Sequence, residues 1–313
     1  MNPDHLQPDP ASERLISHAA GPWQSNGELM QAARARLSAA GAMPGATVDQ
    51  QLNLLDELFG FELGRFLLAH RGLNAWWTHH AVTWDPRTAA PMTALERRIV
   101  ADLPATQATR ERFGIFRREL QALLRPGVTM ASVPCGLMGE LLLLDYSAAP
   151  GARLVGVDLD QAALDAALVL GTERGLASQL TLRRQDAWAE QWQDKVDVLT
   201  SNGLNIYEPD DGRVTALYRS FHAALRPGGT LVTSFLTPPP TLSAQSPWKM
   251  SEIDPQALAL QFVLFVRVIE VKWSAFRTHD QTRAQLEQAG FTDIRFVDDR
   301  ASMFPTVVAH KPD

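Results

Sequence analysis

The chain has one cysteine, Cys135. That excludes an internal disulfide and any metal site built on several thiolates. It has no excess of positive charge: 29 Lys and Arg stand against 35 Asp and Glu, a net charge of −6. A nucleic-acid partner is therefore not expected, although Arg110, Arg112, Arg117 and Arg118 lie close together and form a local basic run. No apolar run reaches the about 18 residues that a spanning helix needs, so no membrane partner is expected. Residues 1–30 lack a compact apolar stretch behind basic residues, the mark of a secretory signal, and a cytoplasmic location is expected. Repeats and low-complexity tracts are missing too. What is present is ordinary for a globular protein: 45% hydrophobic and 20% charged residues in 313, enough for one large domain or two smaller ones.

The first third reads as helical. Segments 11–20 and 28–40 are rich in Ala, Leu and Arg, and GAMPGA at 41–46 breaks the pattern. Leu52, Leu55, Leu58, Phe59, Leu63, Phe66 and Leu67 fall at helical spacing within 47–70, and Thr47 with Gln50 has the form of a capping box. RGLNAWWTHHAVTW at 71–84 gathers three tryptophans and two histidines. The segments 91–103 and 106–124 read as further helices.

From Thr129 onward strands and helices alternate, which predicts a parallel sheet with crossover helices. Strands are expected near 129–135, 153–158, 179–185, 196–201 and 229–236, and helices near 139–146, 160–174 and 211–225. Three prolines at 238–240 open an irregular segment, and 255–272 reads as a long apolar helix or a helix running into a strand. After a helix at 280–289, strands at 294–298 and 306–310 lie too close for a crossover and must pair as a hairpin.

One stretch carries the chemistry. Residues 129–160, TMASVPCGLMGELLLLDYSAAPGARLVGVDLD, run as strand, glycine-containing turn, helix and strand, ending on a carboxylate. Gly136 permits close approach of backbone to a ligand, and a helix N-terminus offers free N–H groups. Asp158, 22 positions after Gly136, stands where such folds bind the two hydroxyls of a ribose. This pattern resembles the class I S-adenosylmethionine (SAM) dependent methyltransferases. Their glycine motif reads roughly D-x-G-C-G-x-G. Here Cys135-Gly136 is kept, Ser132, Pro134 and Met138 replace the acid and two glycines, and Gly139 comes one position late. The other motifs match more closely: LVGVDLDQAALDAAL at 154–168, RQDAW at 184–188 and LRPGGTLVTSF at 225–235, in order and at ordinary spacing. The resemblance spans about 110–312.

The resemblance implies an α/β fold, a seven-stranded Rossmann-like sheet, mostly parallel with a C-terminal antiparallel hairpin; the residues ahead of it read by their own pattern as an N-terminal all-helical cover. The domains are then 1–104, a helical cap on the substrate side, and 105–313, the SAM-binding domain with an insertion or lid at about 237–278. It implies SAM as cofactor, with S-adenosylhomocysteine as product. The expected cofactor-binding residues are Pro134, Cys135, Gly136 and Gly139 in the turn, and Asp158 with Leu159 at the second strand. Asp186, Ala187 and Trp188 belong to the adenine side, and Ser201, Asn202 and Gly203 follow the fourth strand. Cys135 reads as a small packing residue, not a nucleophile. Methyl transfer asks the protein mainly to align two reactants and to exclude water. No catalytic triad is therefore required; a base, if used, must reach the acceptor, and His79, His80, Tyr207 and His279 are the candidates. Arg277 is the candidate clamp for an acceptor anion, with Trp76, Trp77, Trp84 and Trp273 as candidate pocket walls.

A small polar molecule, a metabolite or natural product with an anionic group, is the expected acceptor. A protein methyltransferase and a non-catalytic SAM-binding protein are the alternatives. The adjacent histidines have no ligand spacing with another cluster, so no metal is expected. The oligomeric state stays open, a homodimer among the candidates.

Overall fold

The computed structural model describes residues 25–189 and 195–313; the helix expected at 11–20 lies outside them. The chain divides into two compact units. One holds the described residues up to Thr106 together with Ile253–Trp273, the other Gln107–Glu252 together with Ser274–Asp313. Residues 253–273, read from sequence as part of an insertion in the sheet domain, thus group with the N-terminal helices.

The first unit is helical. α1 (Asn26–Ala40) is capped by Ser25 and Glu28. α2 (Val48–Phe59) starts at the expected box: Gln50 N–H donates to Thr47 Oγ1 at 3.2 Å, and Thr47 N–H donates to Gln50 Oε1 at 2.8 Å. The single helix expected over 47–70 is in fact two, because the chain turns at Gly60 before α3 (Glu62–His70). Leu55, Leu58, Leu63 and Leu67 are buried, as their spacing requires. At Gly64 a Cβ would stand 2.0 Å from the Leu58 carbonyl oxygen, so glycine is what lets α3 lie against α2. α4 (Ala75–Thr83) is capped by Asn74. α5 (Ala94–Arg97) runs into a π-helical turn at Arg98–Asp102. α6 (Pro104–Ala122) begins in this unit and belongs to the second from Gln107 onward. α10 (Pro255–Phe262) is followed by a π-helical stretch at Val263–Val268 and not by a strand. The Arg36 guanidinium donates to the carbonyls of Arg267 and Val268, both at 2.7 Å, tying that stretch to α1.

The second unit is built on one sheet of seven strands: β1 (Thr129–Ser132), β2 (Arg153–Asp158), β3 (Leu180–Arg184), β4 (Val196–Ser201), β5 (Leu225–Ser234), β6 (Thr292–Val297) and β7 (Thr306–His310). Their order is β3-β2-β1-β4-β5-β7-β6. The first five pair in parallel. β7 pairs antiparallel with both β5 and β6, the expected hairpin. α7 (Gly139–Leu142), α8 (Gln161–Glu173), α9 (Asp211–Ala224) and α11 (His279–Gln288) complete the unit. Phe116 and Leu120 of α6 join Met130, Leu141, Leu142, Leu154 and Leu164 in one apolar core. Parallel register brings the carboxyl ends of β2, β1, β4 and β5 to one edge, with Ser132 opposite Thr200 and Ser201 opposite Thr233. In open α/β sheets that edge is where ligands bind.

Candidate active site

The turn after β1 opens with a cis Val133–Pro134 peptide. Cys135 N–H donates to the Val157 carbonyl at 2.8 Å, and Gly136 N–H donates to Asp158 Oδ2 at 2.8 Å. Gly136 has φ +50° and Met138 φ +57°, left-handed backbone that glycine adopts without cost and methionine does not. The family's motif usually has a glycine at the position of Met138; the methionine side chain here is fully buried. The helix expected at 139–146 is a single turn, Gly139–Leu142, so the extended helix N-terminus foreseen from sequence is not formed. The turn's link to the Asp158 carboxylate remains.

Asp158 ends β2. Its second oxygen, Oδ1, accepts from Asp160 N–H at 3.0 Å. Each carboxylate oxygen therefore takes one backbone N–H and keeps capacity for another donor. Burial pushes this carboxyl above its usual range, against the lowering effect of the N–H donors from Asp160 and Gly136. A carboxylate of this kind, beside a glycine turn and at the edge of a parallel sheet, fits a pair of ribose hydroxyls. Leu159 follows, and its carbonyl accepts from Arg184 Nε at 3.1 Å. Beyond β3, Asp186 Oδ1 accepts from Trp188 N–H at 2.9 Å, Ala187 is buried, and the Arg213 guanidinium lies 5.3 Å from the centre of the Trp188 ring. Cys135 is buried, and burial pushes its thiol well up, next to the charges of Asp158 and Glu140. That environment suits packing and not a thiolate.

Sequence reasoning missed Glu140. Its carboxyl is buried at the start of α7 and accepts a short hydrogen bond from Ser132 Oγ, the residue standing where the family's acid is usual. Burial pushes its pKa up, outweighing the Ser132 bond. A carboxyl raised in the fold keeps its proton to higher pH than in the unfolded chain. Its contribution to stability is thus lost as pH rises from the ordinary carboxylate range through the folded value. Glutamine at 140 keeps an oxygen for Ser132 and carries no charge. Glu140→Gln is expected to melt above the wild type at about pH 8, with the gap shrinking toward about pH 4. Thermal melts across pH check this, and a lower melting temperature for the variant at the alkaline end would refute it.

After β4, Ser201 is buried, Asn202 Oδ1 accepts from Ser234 Oγ at 3.0 Å, and Gly203 has φ +87°. Asn205 Nδ2 donates to Tyr218 OH at 2.8 Å and to the Ser234 carbonyl at 2.9 Å. Thr200 Oγ1, Asn205 Oδ1 and Arg112 Nε are buried without a hydrogen-bond partner among the described residues. They are three polar atoms in the part of the sheet edge formed by β4 and β5. Tyr207 ends the short turn Asn205–Tyr207.

One expectation is corrected. Arg277 is not a free clamp. Its guanidinium is buried, with Nε donating to Asp211 Oδ1 at 2.8 Å, Nη1 to the Asn205 carbonyl at 3.1 Å and Nη2 to the Glu208 carbonyl at 2.7 Å. It braces the loop after β4. His279 is engaged as well, with Nε2 at 2.9 Å from Asp298 Oδ1. Trp273 falls in the helical unit, edge-on to Phe265 at 5.6 Å.

His79 and His80 lie on α4 of the helical unit. Burial, and then His80, lower the pKa of His79 and favour its neutral form. Trp76 is 50% exposed and stacks on His80 at 5.5 Å, while Trp77 is buried.

No family model and no curated protein matches the chain. Among solved structures, a protein of Bordetella parapertussis is 56% identical, covering 97% of this chain and 99% of its own, with a TM-score of 0.90. The chain belongs to the family of that protein. The Bordetella relative is described as a possible exported protein, which overturns the expected cytoplasmic location. Among the described residues no helix is long and apolar enough to cross a membrane. The fold is that of the class I SAM-dependent methyltransferases, by strand order and by the antiparallel last pair. A SAM-dependent methyltransferase named SibL is 13% identical, covering 84% of this chain and 75% of its own, with a TM-score of 0.49. Another from Mesorhizobium loti is 22% identical, covering 62% and 96%, with a TM-score of 0.45. At those scores the strand order and the motifs carry the assignment, not the superposition.

Proposed function

We propose that the protein is a SAM-dependent methyltransferase acting on a small polar molecule with an anionic group. The observation that carries this reading is the Gly136–Asp158 hydrogen bond at the carboxyl edge of β1 and β2. It holds a buried acceptor beside a turn that backbone can share with a ligand. Asp158 would take the ribose hydroxyls of the donor. Pro134, Cys135, Gly136 and Gly139 would line the turn side, with Leu159 beside Asp158. Asp186, Ala187 and Trp188 would meet the adenine. Ser201, Asn202 and Gly203 would lie beside the reacting end. The donor, when bound, supplies a methyl group activated by a sulfonium. The chain's own residues then have to align the acceptor, keep water out and, for a protonated nucleophile, take a proton. Tyr207, in the loop after β4, is the base candidate within the sheet unit.

A small acceptor is supported by the unpartnered buried atoms of Thr200, Asn205 and Arg112, which a compact polar ligand would satisfy. The acidic balance of the chain disfavours RNA as the acceptor.

The test has two parts. Calorimetric titration with S-adenosylhomocysteine is expected to give one site per chain. Transfer of label from tritiated SAM is then expected with a small-metabolite extract and not with a protein extract. Label confined to protein would make the chain a protein methyltransferase. Binding without transfer to either would make it a non-catalytic SAM-binding protein, in line with the substitutions at Ser132, Pro134 and Met138.

A further inference from the structure

α6 carries one charge where an apolar residue would be expected. Arg112, Phe116 and Leu120 follow one another at intervals of four and are all buried, so they share one stripe of the helix. Arg112 is 6% exposed. Its hydrogen bond runs from Nη1 to Ser234 Oγ at a long 3.5 Å, and Nε has no partner among the described residues. The Phe304 ring lies 5.3 Å from the guanidinium carbon and supports one face of its plane. The nearest acid in effect is Asp299, but its carboxylate is engaged elsewhere, accepting from the N–H groups of Ala301, Met303 and Phe304. Burial, only partly offset by Asp299 and Tyr207, pushes the arginine down to about 10, still a cation at neutral pH.

A buried cation without a paired anion is costly, and a fold keeps one where something else compensates it. The surroundings are those of the candidate site. Ser234 ends β5, its hydroxyl also reaches Asn202, and Tyr207 follows β4. Building on the methyltransferase reading, we propose that Arg112 recognises a carboxylate of the methyl acceptor at the carboxyl ends of β4 and β5. A carboxylate matches in two ways. Its two oxygens fit the fork of Nε and a terminal nitrogen. Its single charge neutralises a single guanidinium, because the other buried arginine nearby, Arg277, is already held by Asp211 and two carbonyls. A doubly charged phosphate would stay half compensated. Arg112 thus takes the role that sequence reading gave to Arg277.

The donor also carries a carboxylate, so the experiment separates the two sources. The protein saturated with S-adenosylhomocysteine is melted with sodium benzoate, with benzamide and with sodium chloride at equal ionic strength. Benzoate is expected to raise the melting temperature of the wild type, and benzamide is not. Arg112→Met should abolish the benzoate shift, and Arg112→Lys, which keeps the charge and loses the fork, should reduce it. Both variants should bind S-adenosylhomocysteine with unchanged affinity. Arg112→Met without ligand should melt at or above the wild type, because a purely structural guanidinium would be missed and this one is not.

A wild type indifferent to benzoate, or an Arg112→Met variant that keeps the shift, overturns the proposal. So does a weaker S-adenosylhomocysteine affinity in either variant, which would give Arg112 to the donor. A misfolded Arg112→Met variant with an unimpaired benzoate shift in Arg112→Lys would make the residue structural. A protein that binds S-adenosylhomocysteine but ignores benzoate sinks this inference alone; one that binds neither sinks the donor site as well.

Discussion

Asp158→Ala is expected to weaken S-adenosylhomocysteine binding by about tenfold to a few hundredfold while the protein stays folded. Hydrogen bonds to a charged acceptor contribute roughly 1.5–3 kcal/mol, and on the proposed reading two ribose hydroxyls would share this carboxylate. The same side chain holds the glycine turn through Gly136 N–H and the start of the next loop through Asp160 N–H. Alanine would therefore remove the proposed ribose acceptor and loosen the glycine turn. Asp158→Asn separates the two effects. It keeps one oxygen for a backbone N–H but presents an amide where a carboxylate stood, so it should keep more of the turn and still lose affinity. Burial raises the carboxyl of Asp158 in the free protein, so wild-type affinity should also climb as pH rises through that value and the acceptor becomes charged. Calorimetry on both variants, with melting curves as a control for folding, measures this. An Asp158→Ala protein that binds as tightly as the wild type would remove the ribose assignment.

Arg277→Ala is expected to cost stability and not merely acceptor affinity. The Arg277 side chain is 3% exposed, whereas that of Asp211 is 61% exposed, so solvent screens the ion pair and it contributes little. The two carbonyl bonds, to Asn205 and Glu208, matter more. Alanine leaves both oxygens without their donor, at about 1–3 kcal/mol for each group that stays buried. The sum is roughly 2–6 kcal/mol, which for a chain of this size is a fall of the order of ten degrees in melting temperature. Arg277→Lys offers one ammonium for three acceptors and should fall between the two. A Arg277→Ala variant that melts within about two degrees of the wild type would contradict the bracing role.

The correction at Arg277 shows where sequence reading stops. VKWSAFRTHD places an arginine just after an irregular segment, and from sequence alone an exposed clamp and a buried brace look the same. Its partners, Asn205, Glu208 and Asp211, lie 66 to 72 positions away, and only folding brings them together. Arg112 did leave a signal. It stands four before Phe116 and eight before Leu120, inside an apolar stripe, but in the linear sequence it also falls in a basic run with Arg110, Arg117 and Arg118. Helical phase divides that run: Arg112 is buried, and Arg117 donates to the Leu143 carbonyl at 2.6 Å.

The sequence by itself determined the strands of the sheet, the hairpin at its end, the capping box at Thr47 and the glycine turn leading to Asp158. Each rests on hydrophobic period, turn chemistry or chain length, which act over a few residues and are written locally. Tertiary structure alone decided three other things. It shortened the helix after the glycine turn to Gly139–Leu142, and it buried Glu140 against Ser132. It grouped Ile253–Trp273 with the N-terminal helices, where Arg36 binds the carbonyls of Arg267 and Val268 across 231 and 232 positions. It also engaged Arg277 and left Arg112 Nε without a partner among the described residues. The reason is the same in each case: burial and pairing of a charge depend on which distant groups the fold brings within about three ångströms, and no local pattern encodes that distance.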